Sequence, residues 1–346
     1  MAALILEDGS RYEGTLFGDT KNVAGEVVFT TGMAGYQELL TDPACAGQIL
    51  CMTYPLIGNV GVNDLDFESD GVHCAGLVIS ELCDLPSNWQ LKKTLPEYLA
   101  EQGVTGLCGV DTRALTRHLR TAGTMRGRIV ADEAQEATEN AAAYTCKEAY
   151  AMNAEGGELT FAVLDLGVKK SVLQALCERG VSLKVYPADT DAQTILEGGC
   201  DACLITSGPG KPESYGAQVQ TVRELMDKKP CMGIALGHQL MVLAQGGAVK
   251  PLKYGHHGSN LPVKDLENKT CYVTAQHVGY TVDADKLPAG AEITHVNSND
   301  QSVEGLRYAG GPSCSVQFCP DAGRGLYKSV DLYDAFIAAV RSAMAK

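Results

Sequence analysis

No stretch of this 346-residue sequence approaches the roughly 20 consecutive apolar residues that a membrane span needs. The opening run MAALILEDGSRYEG holds an apolar stretch of only five residues, with no basic segment before it. A cytoplasmic chain without leader or span is the expectation. Runs of lysine or arginine that could stripe a face for phosphates are missing too, and the formal net charge of −14 with a pI of about 4.9 argues against nucleic acid as a partner. Zinc-like cysteine pairs are absent: the one C-x-x-C is Cys200-Asp-Ala-Cys203, with no second pair at ligand spacing. The 13 cysteines are odd in number, scattered, and mostly set in apolar segments. A secreted disulfide framework is excluded, and reduced cysteines packed as small hydrophobes, with no metal, are expected.

What is there is a globular composition, 45% hydrophobic and 20% charged, with length enough for two domains that each bury a core. Up to about residue 130, short β-like runs (Ala3–Leu6, Glu26–Phe29, Ile49–Thr53, His73–Ile79) alternate with Gly/Asp/Pro turns and with helical patterns around Thr94–Glu101 and Asp111–Ala122. This predicts a β-rich mixed α/β domain over residues 1–135. The Ala/Glu-rich residues 136–158 read as a linker holding a short helix or two, ending at NAEGGE. From residue 159 to 346 strand and helix alternate: TFAVLDLG, VKKSVLQALCERG, VSLKVYPA, DAQTILEGG, ACLIT, AQVQTVRELMDKK, PCMGI, LGHQLMVLAQGG. Such a rhythm predicts an α/β domain with a mostly parallel central sheet covered by helices, its ligand crevice outside the carboxyl ends of the strands. Strand-like segments return between Tyr254 and Cys319, and VDLYDAFIAAVRSAMAK closes the chain as a helix.

Two glycine segments carry chemistry. Gly233-Ile-Ala235-Leu-Gly237 has the small-x-nucleophile-x-small spacing of a strand-to-helix elbow, where glycines permit the sharp turn and the next backbone N–H can serve an oxyanion hole. Its tip is a methyl group. Ser207-Gly-Pro-Gly210 follows a strand and turns amides toward a ligand, with the Gly208 N–H placed for a developing negative charge.

Taken together, ITSGPGKPESY and PCMGIALGHQLMVLAQGGAVKPLKYGHHGSNLPVKD resemble the glutaminase domain of class I (triad) glutamine amidotransferases. The GHHGSN-PVKD stretch is similar, more narrowly, to the small subunit of carbamoyl-phosphate synthetase. LEDGSRYEGTLFG, GEVVFTTGMAGYQELLTDP, TYPLIGNVGVNDLDFES and GVDTRALTRHLR resemble the amino-terminal domain of that subunit.

The resemblance implies a cysteine at the elbow that attacks the glutamine amide carbon. It further implies a histidine and a glutamate near the chain end that activate the cysteine, and ammonia passed to a large subunit that uses ATP and magnesium. This chain would hold no cofactor itself, and its first domain would carry much of the contact with the large subunit. The product would be carbamoyl phosphate for arginine or pyrimidine synthesis. Set against that pattern, the nucleophile position is Ala235, the histidine position Cys319 and the glutamate position Asp321. In the glutamine pocket His277 replaces an asparagine and Ala44 a serine, while Gly208, Gly210, Leu236, Gln239, Gly279 and Tyr280 remain compatible with the cradle.

An experimenter's Cys→Ala exchange would alter one position, so five concerted departures predict a natural loss of glutaminase activity. A rearranged Cys319–His277 pair is disfavoured because a base position faces the elbow from across the pocket. The remaining cradle leaves a second expectation, a non-catalytic protein that binds glutamine or a related metabolite. His238, His256 and His257 read as hydrogen-bonded wall residues, and Cys231 as core.

Overall fold

The computed structural model describes residues 2–131, 136–139, 144–153, 157–320 and 332–345. These fall into two compact units, one of residues 1–143 with 253–258, the other of 144–252 with 259–346.

The first unit holds strands β1 (Ala2–Leu6), β2 (Arg11–Gly18), β3 (Val23–Thr30), β4 (Gln48–Met52), β5 (Leu56–Ile57), β6 (Gly76–Val78), β7 (Glu81–Leu82), β8 (Thr105–Cys108), β9 (Met125–Val130) and β10 (Thr138–Glu139). Its helices are α1 (Tyr36–Leu40), α2 (Leu95–Gln102) and α3 (Thr112–Ala122). Strand order is β10-β3-β4-β6-β8-β2-β1-β9, and β9 also pairs with β3, so the sheet closes on itself. Closure leaves few open edges to manage. One apolar cluster, including Leu50, Leu77, Leu95 and Leu99, lies under α2; a second, including Leu4, Ile49, Leu107, Leu115 and Ile129, lies under α3. Both helices start where the sequence supplies a cap. Thr94 and Glu97 form a reciprocal capping box for α2, and Asp111 accepts the Ala114 N–H at α3.

In the second unit, β11 (Tyr150–Met152), β12 (Leu159–Asp165), β13 (Val181–Pro187), β14 (Ala202–Ile205), β15 (Cys231–Ile234), β16 (Val249–Asp265), β17 (Cys271–Val282), β18 (Glu292–Asn297), β19 (Val303–Arg307) and β20 (Cys314–Val316) form a 10-stranded sheet. Its middle, β13-β12-β14-β15-β20, is parallel throughout, and antiparallel strands extend both sides. Because residues alternate faces, Leu164 and Ile205 meet helices α5 (Ala192–Glu197), α6 (Gly216–Met226) and α7 (Leu236–Ala244) on one side. Phe161, Val163, Leu204 and Ile234 meet α4 (Lys170–Glu178) and α8 (Leu332–Met344) on the other. With both faces covered, the strands read as continuous apolar runs.

Residues 136–158, read as linker with helix, are shared between the units: β10 pairs with β3 and β11 with β13, and no helix occurs there among the described residues. Lys253–Gly258, read with the second domain, clusters with the first unit, where Thr31 N–H donates to His257 O at 3.2 Å and Thr124 N–H to Lys253 O at 3.1 Å. His256 and His257 therefore belong to the first unit. The expected strand His73–Ile79 is paired only over Gly76–Val78.

Candidate functional site

At the carboxyl end of β15 the chain turns within one residue into α7. Ala235 makes that turn with φ 51° and ψ −108°, a backbone that L-residues with a Cβ rarely adopt. Its N–H donates to Val316 O at 2.9 Å, and that of Gly237, two residues on, donates to Thr206 O at 3.0 Å. The flanking glycines are dictated by contact. A Cβ on Gly237 would stand 2.1 Å from Ile205 O, and one on Gly233 would stand 2.6 Å from Met241 Sδ. Helix α7 is buried along nearly its whole length, so its N-terminus cannot shift outward to make room.

The loop after β14 closes over the head of this helix. A Cβ on Gly208 would lie 2.0 Å from Leu166 O and 2.8 Å from Leu236 Cδ2, which fixes glycine there by close approach. Thr206 Oγ1 accepts from Leu166 N–H at 2.9 Å, and Ser207 Oγ donates to Gly167 O at 3.0 Å. Gly210 takes φ +82°, and Tyr215 Oη donates to Pro209 O at 2.7 Å, holding the far side of the loop.

The third wall is the end of β17. Gln239 from α7 donates through Nε2 to Tyr280 O at 2.9 Å, and Gln317, just beyond β20, donates to the same carbonyl at 3.0 Å. Gln276 is buried and gives its amide to Glu304 at 3.0 Å and to Thr274 Oγ1 at 3.1 Å; Asn297 reaches the other Glu304 oxygen at 3.0 Å. Around Gly279 a Cβ would meet nothing within 4 Å. His277 is half-buried, and burial together with the nearby Lys169 ammonium pushes it down to about 4, so its ring is neutral at pH 7. Lys169 stands at the N-cap of α4, on a turn held by Asp165 Oδ1, which accepts the Gly167 and Val168 N–H groups at 3.0 and 2.8 Å.

Cys319 is half-buried. Its N–H donates to Ala275 O at 3.1 Å, and its side chain packs, as Ala235 does, against the apolar cluster that contains Ile234 and Leu173. Asp321 lies outside the described residues. The second unit thus brings together Ala235, Leu236, Gln239, Gly208, Tyr280 and Cys319. Ala44 belongs to the first unit, buried in the short 3-10 turn Pro43–Cys45, whose N-cap Asp42 accepts the Ala44 N–H at 2.9 Å.

Sequence reasoning passed over Lys169 and Gln317. Gln317 sat inside the quoted run CSVQFCPD, but nothing local says which carbonyl a glutamine will reach. His238, expected in the wall, is core: its Nδ1 lies 2.7 Å from Ser315 Oγ, and full burial holds the ring down to about 3. A ring so buried offers no proton acceptor to a ligand. No group of three or more potential metal ligands occurs among the described residues. No helix among them is long and apolar enough to cross a membrane. Cys231 is buried, as expected, and none of the 13 cysteines is in a disulfide.

A strand-to-helix elbow at the centre of a parallel sheet, with a glycine loop over the helix head, is the setting of a nucleophile. Residues 4–129 match the family described as carbamoyl-phosphate synthase small chain, CPSase domain, and residues 162–339 match glutamine amidotransferase class-I. The carbamoyl phosphate synthase small chain of Clostridium perfringens is 44% identical over 347 residues, covering 97% of this chain and 98% of that protein. The chain belongs to the carbamoyl phosphate synthase small-chain family. The small chain of Archaeoglobus fulgidus is 42% identical over 354 residues, covering 98% of this chain and 99% of its own length, and that of Bacillus caldolyticus is 41% identical over 351 residues, with 98% and 96% covered. Both units of the fold are therefore those of a small chain, with the class I amidotransferase domain as the second.

Proposed function

We propose that this small chain pairs with the large chain of a carbamoyl phosphate synthase but has lost its own glutaminase chemistry, so that the complex works from free ammonia, bicarbonate and ATP. The observation that carries this is the methyl group of Ala235 at the tip of the elbow. Glutamine hydrolysis at such a site needs a thiolate to attack the amide carbon. Backbone N–H groups, here those of Gly208 and Leu236, would take the oxyanion, and a base and acid would pass the proton to leaving ammonia. Without the nucleophile no acyl intermediate forms, and turnover falls by on the order of a millionfold. Four further changes support natural loss: Cys319 and Asp321 at the base and acid positions, His277 and Ala44 at pocket positions. ATP and magnesium belong to the large chain in this reading, and the carbamoyl phosphate would serve arginine or pyrimidine synthesis in the cytoplasm.

Purified chain and large chain of the same organism are expected to co-elute, and the pair to make carbamoyl phosphate with ammonium chloride. Separate elution of the two would sink the proposal. One observation favours a second reading, a non-catalytic glutamine sensor: glycine is required at 208 by close approach, Gln239 reaches Tyr280 O, and a Cβ at Gly279 would meet nothing within 4 Å. Calorimetry with millimolar glutamine decides it, since absence of heat removes that reading.

A further inference from the structure

Three of the 13 cysteines meet in the core of the second unit, at the amino ends of β14 and β15, away from the elbow at their carboxyl ends. Cys200 Sγ lies 4.0 Å from Cys203 Sγ. Cys203 and Cys231 are register partners on the adjacent parallel strands, which puts both side chains on one face of the sheet. The backbone that carries them is pinned. Asp201 N–H donates to Thr160 O at 2.8 Å, and Asp201 Oδ2 accepts the Thr160 N–H at 2.8 Å. Cys203 N–H donates to Pro230 O at 2.8 Å and Cys231 N–H to Ser313 Oγ at 3.0 Å. Ahead of Cys200, the Lys184 ammonium donates to the carbonyls of both Gly198 and Gly199.

Cys200 is the outermost of the three, 6% exposed, while Cys203 and Cys231 are fully covered. It follows Gly199, which takes φ +73° and where a Cβ would meet nothing within 4 Å. A small polar reagent therefore reaches Cys200 first. The Cys203 thiol and burial push the Cys200 thiol up, and the Lys229 ammonium, which acts on Cys203 as well, works the other way by favouring the thiolate. The C-x-x-C spacing beside a βαβ unit, here β13-α5-β14, is one that redox dithiols use.

We propose that Cys200 and Cys203 form a reversible dithiol that reacts with peroxides. The Cys200 thiolate attacks one peroxide oxygen, the O–O bond breaks, and the leaving hydroxide is protonated to water, which makes Cys200 a sulfenic acid. Cys203 Sγ then attacks Cys200 Sγ, the S–O bond breaks, and the second hydroxide leaves as water with the Cys203 proton. Two thiols and one hydrogen peroxide thus give one disulfide and two waters. Rotation about the Cα–Cβ bonds closes the sulfur gap from 4.0 Å to about 2.05 Å. The structure holds the reduced form, with both cysteines free. A dithiol reductant reverses the step by thiol–disulfide exchange. The site depends neither on the glutaminase chemistry nor on the proposed pairing.

The test treats the full-length reduced chain with hydrogen peroxide, unfolds it, blocks the remaining thiols with iodoacetamide and digests it with trypsin. Residues 185–223 form one peptide that holds Cys200 and Cys203, and Cys231 falls in another. Cys51 and Cys74, buried in the first unit and pushed up to about 12 by that burial, serve as controls in the same sample. The peptide is expected to lose two hydrogens and take up no iodoacetamide, about tenfold faster or more than either control thiol is lost. Dithiothreitol should restore both thiols. Cys200→Ser should leave Cys203 open to iodoacetamide over the same time, and Lys229→Gln should slow the wild-type loss about threefold. If both thiols still take up iodoacetamide when the exposed Cys271 has been oxidised, the proposal is overturned. A link between Cys203 and Cys231 in its place would overturn it too, as would loss of the pair only in step with Cys51 and Cys74, the sign of an unfolding chain.

Discussion

Ala235 holds a backbone with φ 51° and ψ −108° although its methyl group has no bond to make at the tip of the turn. Strain of this kind costs about 1–3 kcal/mol and is kept where a side chain must be presented. Here the presented atom is chemically inert, so Ala235→Gly should stabilise the second unit by about 1 kcal/mol, raising its melting temperature by roughly 2–4 °C with no loss of function. Thermal unfolding of the two proteins side by side checks this. Restoring the thiol is a separate matter. Ala235→Cys alone is expected to release glutamate from glutamine no faster than wild type, because Cys319 offers no ring nitrogen to take the proton; Ala235→Cys with Cys319→His should exceed it by at least a hundredfold. Positions 235, 277, 319, 321 and 44 were singled out by motif spacing, a one-dimensional signal that the sequence carries by itself. Lys169 and Gln317 were not, since their roles depend on a ring and a carbonyl far away in the chain.

The β15–α7 elbow depends on close approach. A methyl on Gly237 would press on Ile205 O at 2.1 Å, so Gly237→Ala should cost at least about 2 kcal/mol in urea unfolding. Helix α7 also ties stability to pH. His238 takes a proton in the unfolded chain near pH 6.5 but in the fold only near 3, so the folded state binds fewer protons between those values. Stability is full above pH 6.5 and falls as pH drops from there toward 3; His238→Gln should flatten that slope in urea midpoints measured from pH 7.5 to 4.5. Asp265, at the turn between β16 and β17, acts in a lower window. Burial opposes its ionisation, but hydrogen bonds from Asn268 and Tyr272 and the neighbouring His295 hold it down to about 2, so its contribution is lost as pH falls from about 4 to 2. The βα alternation of the second unit was legible because long apolar strands and amphipathic helices carry different periods. The short β10 and β11 were invisible: two- and three-residue strands in an Ala/Glu-rich stretch have no period to show.

At the scale of the whole molecule, the sequence placed one division near residue 158, while contacts divide the chain at 143 and again around Lys253–Gly258. A single 17-residue strand, β16, runs through the second division without any break in composition to mark it. The central claim is loss of glutaminase chemistry with the pairing kept, and it is tested most directly by carbamoyl phosphate synthesis in the complex of native small and large chains, with glutamine or ammonium chloride as the nitrogen source. The account predicts synthesis from ammonium chloride and none above background from glutamine. Glutamine-dependent synthesis at a rate comparable to that with ammonia would contradict it.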